Sequence, residues 1–204
     1  MLVIGLTGGI GTGKTEVTHI LRELGAVVIE SDKVAHLSYR PGTEAYRAIV
    51  NQFGRKILDD SGVIDRTSLG AIVFSDRAQR EELESIVWPA ARKWIENRLV
   101  EEERRGSQVV VIEVPKLFEA GWDQFTNVVW TVEATHGEIG QRVRERAGLT
   151  EAETDARVAA QMTCEERIAR ADLVIENNST LEDLRERVIK TWETVPALES
   201  ANPK

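Results

Sequence analysis

Short apolar runs alternate with longer amphipathic segments along the chain. The runs "MLVIGL" at residues 1–6 and "AVVIE" at residues 26–30 are partly β-branched, which predicts buried parallel strands. Between them, "KTEVTHILRELG" places apolar residues at helical spacing and closes on Gly25, a residue type favoured at helix C-termini. Strand, helix and strand in about thirty residues predict the first unit of an α/β fold.

The same alternation returns after a long helical stretch. Residues 33–105 are predicted to be mostly helical, and Pro89 is expected to kink or divide the last helix there. A third strand is predicted at residues 109–114, a fourth in "TNVVWTVEA" and a short fifth in "DLVIENNS". The closing helix has Thr180 as its expected N-cap. This order predicts an α/β fold with a parallel, doubly wound sheet.

Composition narrows the class of protein. The 204 residues are 42% hydrophobic and 29% charged, as in an ordinary soluble globular protein. The net charge of −8 argues against nucleic acid as a partner. The single cysteine, Cys164, excludes an internal disulfide and suits a reducing compartment, and we interpret it as a half-buried thiol on a helix. No segment reaches the roughly 18 apolar residues of a membrane helix, so we predict a cytoplasmic protein without a membrane partner.

The first strand runs into a glycine-rich loop. Gly8, Gly13, Lys14 and Thr15 match the pattern Gly-x-x-x-x-Gly-Lys-[Ser/Thr], in the strand-to-helix context that it requires. Its backbone N–H groups and the following helix favour bound phosphate; Lys14 is expected to reach the β- and γ-phosphates, and the Thr15 hydroxyl to bind Mg²⁺. The predicted nucleotide-binding residues are Gly8, Gly9, Ile10, Gly11, Thr12, Gly13, Lys14 and Thr15.

The loop alone does not separate kinases from GTPases or motor ATPases. The chain contains no guanine-specific Asn-Lys-x-Asp motif, and no second strand ends in an apolar run followed by Asp. Glu113 stands at that place, either as an outer magnesium ligand or as a solvated carboxylate. Because the chain is also short for a motor ATPase, a small-molecule kinase is the class predicted.

Two further sets of charged residues are candidates for chemistry. Asp32 follows the second strand, at the edge where parallel sheets bind ligands, and is either a general base or the N-cap of a helix beginning near Lys33. Glu119 is expected near the same edge. Arg142 and Arg146 are four residues apart on one helix face, and either neutralise phosphate charge or are simply solvated.

Taken together, these stretches resemble the dephospho-coenzyme A kinase family over nearly the whole chain. The resemblance rests on motifs in order: "GLTGGIGTGKTEV", "SDKVAH", "ILDDSGVIDRTSLGAIVFSD", "VPKLFEAGW", "QRVRERAG", "RVAAQM" and "ADLVIENN". Two positions depart from the family pattern. Lys116 replaces the first of two leucines, and Trp88 stands where a histidine is often found before Pro89. Lys116 either pairs with a substrate phosphate or extends to solvent, and Trp88 either stacks on adenine or belongs to the core.

The resemblance implies ATP-dependent phosphorylation, with Mg²⁺, of the ribose 3′-hydroxyl of dephospho-coenzyme A. It implies a P-loop kinase fold with a nucleotide-binding core at 1–32 and 106–204, a helical substrate-binding insertion at 33–105 and a lid at about 136–165. Lys14, Asp32, Arg142 and Arg146 would be the catalytic residues, Asp32 as base. A monomer is expected, with a small homo-oligomer as the alternative. The competing functions are another small-molecule or nucleoside monophosphate kinase, and a nucleotide switch that transfers no phosphate.

Overall fold

The apolar runs form the strands of a sheet whose three central strands are buried or nearly so and whose two edge strands are only partly buried. In a computed structural model, which describes residues 1–147, 150–159 and 161–196, the strands are β1 (Leu2–Thr7), β2 (Val27–Glu30), β3 (Val109–Glu113), β4 (Val128–Glu133) and β5 (Leu173–Glu176). All six residues of β1 are buried, as expected for a central strand that is covered on both faces. The predicted strands are confirmed.

The strands lie in the order β2-β3-β1-β4-β5. β1 pairs in parallel with β3 on one side and with β4 on the other, and β4 pairs in parallel with β5. The order reverses around β1, so the carboxyl end of β1 lies at the point where such sheets bind ligands. The predicted parallel, doubly wound sheet is confirmed.

Helices fill the connections between the strands. The α-helices of the described residues are α1 (Lys14–Glu23), α2 (Ser31–Ser38), α3 (Glu44–Phe53), α4 (Arg66–Ser75), α5 (Arg77–Arg104), α6 (His136–Ala147), α7 (Glu151–Ala159), α8 (Cys164–Arg170) and α9 (Leu181–Trp192). Thr180 caps α9 as predicted, since its hydroxyl accepts from the Asp183 N–H in a capping box. None of the described helices is long and apolar enough to cross a membrane.

Pro89 does not divide its helix, so that alternative of the prediction is wrong. α5 runs unbroken from Arg77 to Arg104. Pro89 is exposed, whereas Val87, Ala91 and Ile95 on the opposite stripe are buried. The carbonyl that loses its donor at Pro89 therefore faces water, and packing of the buried stripe holds the turns on either side.

The chain separates into two compact units, residues 1–29 with 102–204 and residues 30–101. The first unit contains the sheet, with one face packed on α1 and α9 through Leu6, Leu21, Trp130 and Val188. The second unit is helical and has its own core, formed by Ile49, Phe53, Ile57, Ile64, Leu69, Val73 and Val87. The functions expected of a core, an insertion and a lid at 136–165 stay predictions.

Candidate active site

The glycine-rich loop connects β1 to α1, which begins at Lys14. Gly13 takes the N-cap position with φ 99° and ψ 20°, a left-handed conformation that side chains other than glycine rarely adopt. Glycine is required at position 8 for a different reason, because a Cβ there would lie 2.3 Å from the Val132 carbonyl oxygen of β4. The loop therefore lies directly ahead of a helix N-terminus, an arrangement suited to phosphate.

The Lys14 ammonium lies against the loop itself. Its Nζ donates to the carbonyl oxygens of Gly8 at 2.7 Å and Gly9 at 2.8 Å. The side chain is half-buried, so the positive charge stays at the loop while remaining partly accessible. A phosphate bound by the loop would meet this charge directly, which is what the predicted role of Lys14 requires.

Asn177, the residue directly after β5, contacts the loop. Its Nδ2 donates to the Thr12 carbonyl oxygen at 2.8 Å, and the residue is 4% exposed. A Cβ on Gly13 would lie 2.2 Å from the same Nδ2, so this side chain also requires glycine at position 13. Asn177 was not predicted. The available signal was a short polar side chain directly after a strand, at the carboxyl edge of the sheet.

A buried ion pair lies beside Gly9. Arg167 of α8 donates from Nε and Nη2 to the two carboxylate oxygens of Glu133, each at 2.7 Å, with side chains 8% and 6% exposed. A Cβ on Gly9 would lie 3.1 Å from the Arg167 Nη2. Burial disfavours the charged guanidinium, but the Glu133 hydrogen bonds and charge outweigh it and raise the pKa of Arg167. This bidentate pair was also not predicted.

The segment before α8 also contacts the loop. Gln161 accepts a hydrogen bond from the Ile10 N–H through Oε1 at 2.9 Å, and Glu119 accepts from the Met162 N–H at 3.3 Å. Glu119, predicted near the sheet edge, therefore holds this segment in place. A cavity of about 410 Å³ opens here, and its lining includes Gly9, Ile10, Ile139, Gln161, Cys164 and Arg167.

Cys164 is half-buried at the start of α8, as predicted. Burial, followed by the negative charge of Glu133, raises the pKa of the thiol to about 11. The thiol is therefore protonated near neutral pH and is a poor nucleophile.

Arg142 of α6 lies close to the loop. Its Nη1 donates to the Asn177 carbonyl oxygen at 3.0 Å, and its Nη2 lies 2.9 Å from a Glu138 carboxylate oxygen. α6 also packs on the loop, because a Cβ on Gly11 would lie 2.8 Å from the Val143 Cγ2. Arg146 belongs to the same helix, but its side chain lies outside the described residues.

The carboxylate predicted as an outer magnesium ligand is at a strand end. Glu113, the last residue of β3, pairs with Leu6 of β1 and is half-buried, so it lies beside the strand that leads into the loop.

Thr15 is exposed in the first turn of α1. Lys116 is half-buried in the first unit and Trp88 is half-buried in α5, and their roles stay predictions.

Asp32 belongs to the second unit and does not cap its helix, so the N-cap alternative is wrong. α2 begins at Ser31, with Glu30 at the N-cap, and Asp32 is the second helical residue. Ser31 and Val34 are both buried, so packing extends the helix further toward its N-terminus than the sequence suggested. Asp32 itself is exposed. Burial, followed by the charge of Arg66, lowers the pKa of His36 one turn on, and the Asp32 carboxylate opposes this shift.

The loop, the parallel sheet and the surrounding helices define a P-loop kinase fold. A solved shikimate kinase from Bacteroides thetaiotaomicron is similar, with a TM-score of 0.52 at 18% identity over 96% of this chain and 98% of that one, a similarity of fold alone. The model of the dephospho-CoA kinase family matches residues 2–183.

The chain belongs to the dephospho-CoA kinase family. It is 45% identical to a dephospho-CoA kinase from Geobacter sulfurreducens, over 94% of this chain and 98% of that protein. The solved dephospho-CoA kinase from Campylobacter jejuni has a TM-score of 0.72 at 26% identity, covering 95% of this chain and 96% of that one. Membership confirms the predicted class, an ATP-dependent kinase that acts on dephospho-CoA.

Proposed function

We propose that this chain transfers the γ-phosphoryl group of ATP to the ribose 3′-hydroxyl of dephospho-CoA, giving CoA and ADP. The bond from the γ-phosphorus to the β–γ bridging oxygen breaks, a bond to the 3′-oxygen forms, and the hydroxyl proton leaves. The observation that carries the proposal is the complete phosphate loop at residues 8–15, held between β1 and α1 in a chain of this family.

Lys14 and the N-terminus of α1 provide fixed positive charge for the transfer. The Lys14 ammonium is held at the loop by two carbonyl oxygens, so it needs little rearrangement to follow the moving phosphoryl group. Phosphoryl transfer depends mainly on positioning and charge stabilisation, which these groups supply.

Asp32 is the proposed general base. Its exposed carboxylate lies in the first turn of α2, directly after β2, and ligands of open parallel sheets collect beyond the carboxyl ends of the strands. Because Asp32 has no capping role, a carboxylate at this position is available to accept the proton of the 3′-hydroxyl.

Arg142 and Arg146 are proposed to neutralise phosphate charge from a lid at about residues 136–165. Arg142 supports this role because α6 already places it against Asn177, next to the loop. Closure would replace the Asn177 and Glu138 contacts of Arg142 by phosphate oxygens.

Magnesium is proposed to enter with ATP, near Thr15 and Glu113. Both offer oxygen ligands, which Mg²⁺ prefers, and the described residues contain no cluster of three or more His, Cys, Asp or Glu that could hold a metal. This donor set fits an ion that keeps several waters and binds mainly through phosphates. The ion would neutralise charge on the β- and γ-phosphates.

We also propose a cytoplasmic enzyme that acts on small molecules without nucleic acid or membrane partners, most simply as a monomer. The net charge of −8 and the single cysteine support this proposal. Light scattering after size-exclusion chromatography would distinguish a monomer from a small homo-oligomer.

An ADP-forming assay with a panel of acceptors tests the proposed reaction. Dephospho-CoA should start turnover, and its analogue without the 3′-hydroxyl should not. The product should coincide with authentic CoA in chromatography. Turnover with a nucleoside monophosphate instead would indicate another kinase, and ATP hydrolysis independent of any acceptor would indicate a switch.

A further inference from the structure

Asn177 makes a buried hydrogen bond to the phosphate loop although it lies 165 residues away in sequence. Its backbone N–H donates to the Glu133 carbonyl oxygen at 2.8 Å and extends the pairing of β4 with β5 by one residue. The strand pairing therefore fixes the backbone of Asn177, and the side chain has a defined direction toward Thr12. A buried amide that is satisfied in this way is held firmly.

The contact to Thr12 determines the orientation of one peptide group in the loop. The Thr12 carbonyl and the Gly13 N–H belong to the same planar, trans peptide, so they point in opposite directions. When Asn177 draws the carbonyl toward itself at 2.8 Å, the Gly13 N–H must point away from Asn177. Gly13 can follow because its φ of 99° is open to glycine.

We infer that Asn177 is a positioning residue for the nucleotide, whose side-chain amide aims the Gly13 N–H at the bound phosphate. The inference rests on the proposed function, in which the loop binds ATP. Asn177 does not itself touch the reacting atoms. Its carbonyl oxygen also accepts from Arg142, so one residue adjoins both the loop and the arginine of the proposed lid.

Asn177→Asp tests the inference with nearly unchanged shape. The substitution replaces the Nδ2 donor by an acceptor that repels the Thr12 carbonyl, so the peptide between Thr12 and Gly13 should rotate. A hydrogen bond to a charged group changes an equilibrium by about 10- to 100-fold, so the Kd for ATP and the KM for ATP should rise at least about tenfold. The KM for dephospho-CoA should stay within about twofold of the parent value, because the acceptor does not use this N–H.

Asn178→Asp is the matched control. Asn178 is the neighbouring residue, and its Oδ1 accepts from the Thr135 N–H at 2.8 Å. Aspartate keeps this acceptor, so the control should bind ATP with the affinity of the parent. Asn177→Ser is a second variant, whose shorter side chain withdraws the Nδ2 donor from the Thr12 carbonyl without adding charge. It should weaken ATP binding in the same direction if the aspartate variant does not fold.

Calorimetric titration with ATP, without acceptor, provides the decisive measurement. It tests the loop even if dephospho-CoA were not the substrate, whereas turnover of dephospho-CoA by the parent tests the proposed function separately. The inference is supported if both Asn177 variants lose ATP affinity selectively while Asn178→Asp does not. It is overturned if a folded Asn177 variant binds ATP within about twofold of the parent, or loses ATP and acceptor binding equally.

Discussion

The phosphate loop and the helical unit at residues 30–101 hold their polar groups in opposite ways. Around the loop, Asn177, Glu133 and Arg167 are buried, and each is hydrogen-bonded to a defined partner. In the helical unit, Asp32 and Arg66 are exposed, above an apolar core that does not involve them. The loop is thus shaped by buried contacts before any nucleotide arrives, whereas the helical unit presents its charges to solvent.

This difference predicts two kinds of mutational effect. A buried polar group that loses its partner stays out of water without compensation, which lowers the free energy of unfolding. Changes to the buried groups around the loop should therefore reduce stability. Exposed groups are already hydrated, so changes to exposed charges of the helical unit should have little effect on stability, even where they lower the rate. Lys14 combines features of both, because it belongs to the loop yet is partly accessible.

The largest expected effect is that of Lys14→Ala on turnover. The substitution removes the ammonium that should follow the phosphoryl group, and we expect turnover to fall by at least about 10³-fold. The melting temperature should change little, because the side chain is only half-buried. Steady-state kinetics and thermal unfolding check this prediction. Lys190→Ala, an exposed lysine in the last turn of α9, should match the parent, and near-normal turnover of Lys14→Ala would refute the assignment of the loop.

Asp32→Asn should separate rate from stability most clearly. An amide cannot accept the 3′-hydroxyl proton, and general-base contributions are about 10²- to 10⁴-fold, so turnover should fall at least about a hundredfold. The melting temperature should move by only a few degrees, since the charge contributes about 0.3–1 kcal/mol at a helix N-terminus.

Glu44→Gln controls for the helix contribution of Asp32. Glu44 is likewise exposed and acidic in the first turn of a helix, α3, within the same unit. Its substitution should cost similar stability and leave the rate unchanged. If folded Asp32→Asn turns over as fast as the parent, the base must be sought at Glu113 or Glu119.

Glu133→Gln should show the cost of disturbing the groups beneath the loop. It leaves the buried Arg167 charge without its counter-charge, which costs about 3–5 kcal/mol and corresponds to a melting temperature lower by about 6–20 °C. Glu176→Gln is the matched control, because Glu176 pairs with Glu133 across the sheet but bonds to the half-exposed Arg187. Glu176→Gln should lower the free energy of unfolding by less than about 1 kcal/mol. Equal losses for the two variants in denaturant titrations would contradict the difference expected between buried and exposed ion pairs.

Local patterns predicted the elements of the fold. The apolar runs, the capping threonine before α9 and the glycine-rich loop each depend on neighbours within a few residues, so the sequence shows them directly. The sequence left open whether Pro89 kinks or divides its helix and whether Asp32 is the N-cap of another. Whether a proline divides a helix, or where a helix begins, depends on packing that the local pattern does not contain.

The contacts that shape the loop could not be predicted in this way. Gln161 and Asn177 bond to loop residues 151 and 165 positions earlier in the chain, and Glu133 pairs with Arg167 across 34 positions. No short motif records a pair at such separation. The sequence therefore led to the residues proposed for chemistry, and the structure added the buried contacts around the loop.

The smallest expected effect concerns His36 in the helical unit. Its Nδ1 lies 2.5 Å from the Tyr39 hydroxyl oxygen. Burial, followed by the positive charge of Arg66 from α4, lowers the pKa of His36, while Asp32 on the same helix opposes this shift. The folded protein therefore binds a proton at His36 less readily than the unfolded chain does.

The sign of the pH dependence follows from that shift. Because the folded pKa is below the ordinary value of 6.5, the stability contribution is fully present above pH 6.5 and is lost as the pH falls through the folded pKa. The free energy of unfolding should thus decrease slightly on acidification from about pH 6.5, before most carboxylates titrate. His36→Gln should flatten this slope, and His19→Gln, an exposed histidine of α1, should preserve it. Denaturant titrations at closely spaced pH values measure both, and an unchanged slope in His36→Gln would show that protonation of His36 is not coupled to folding.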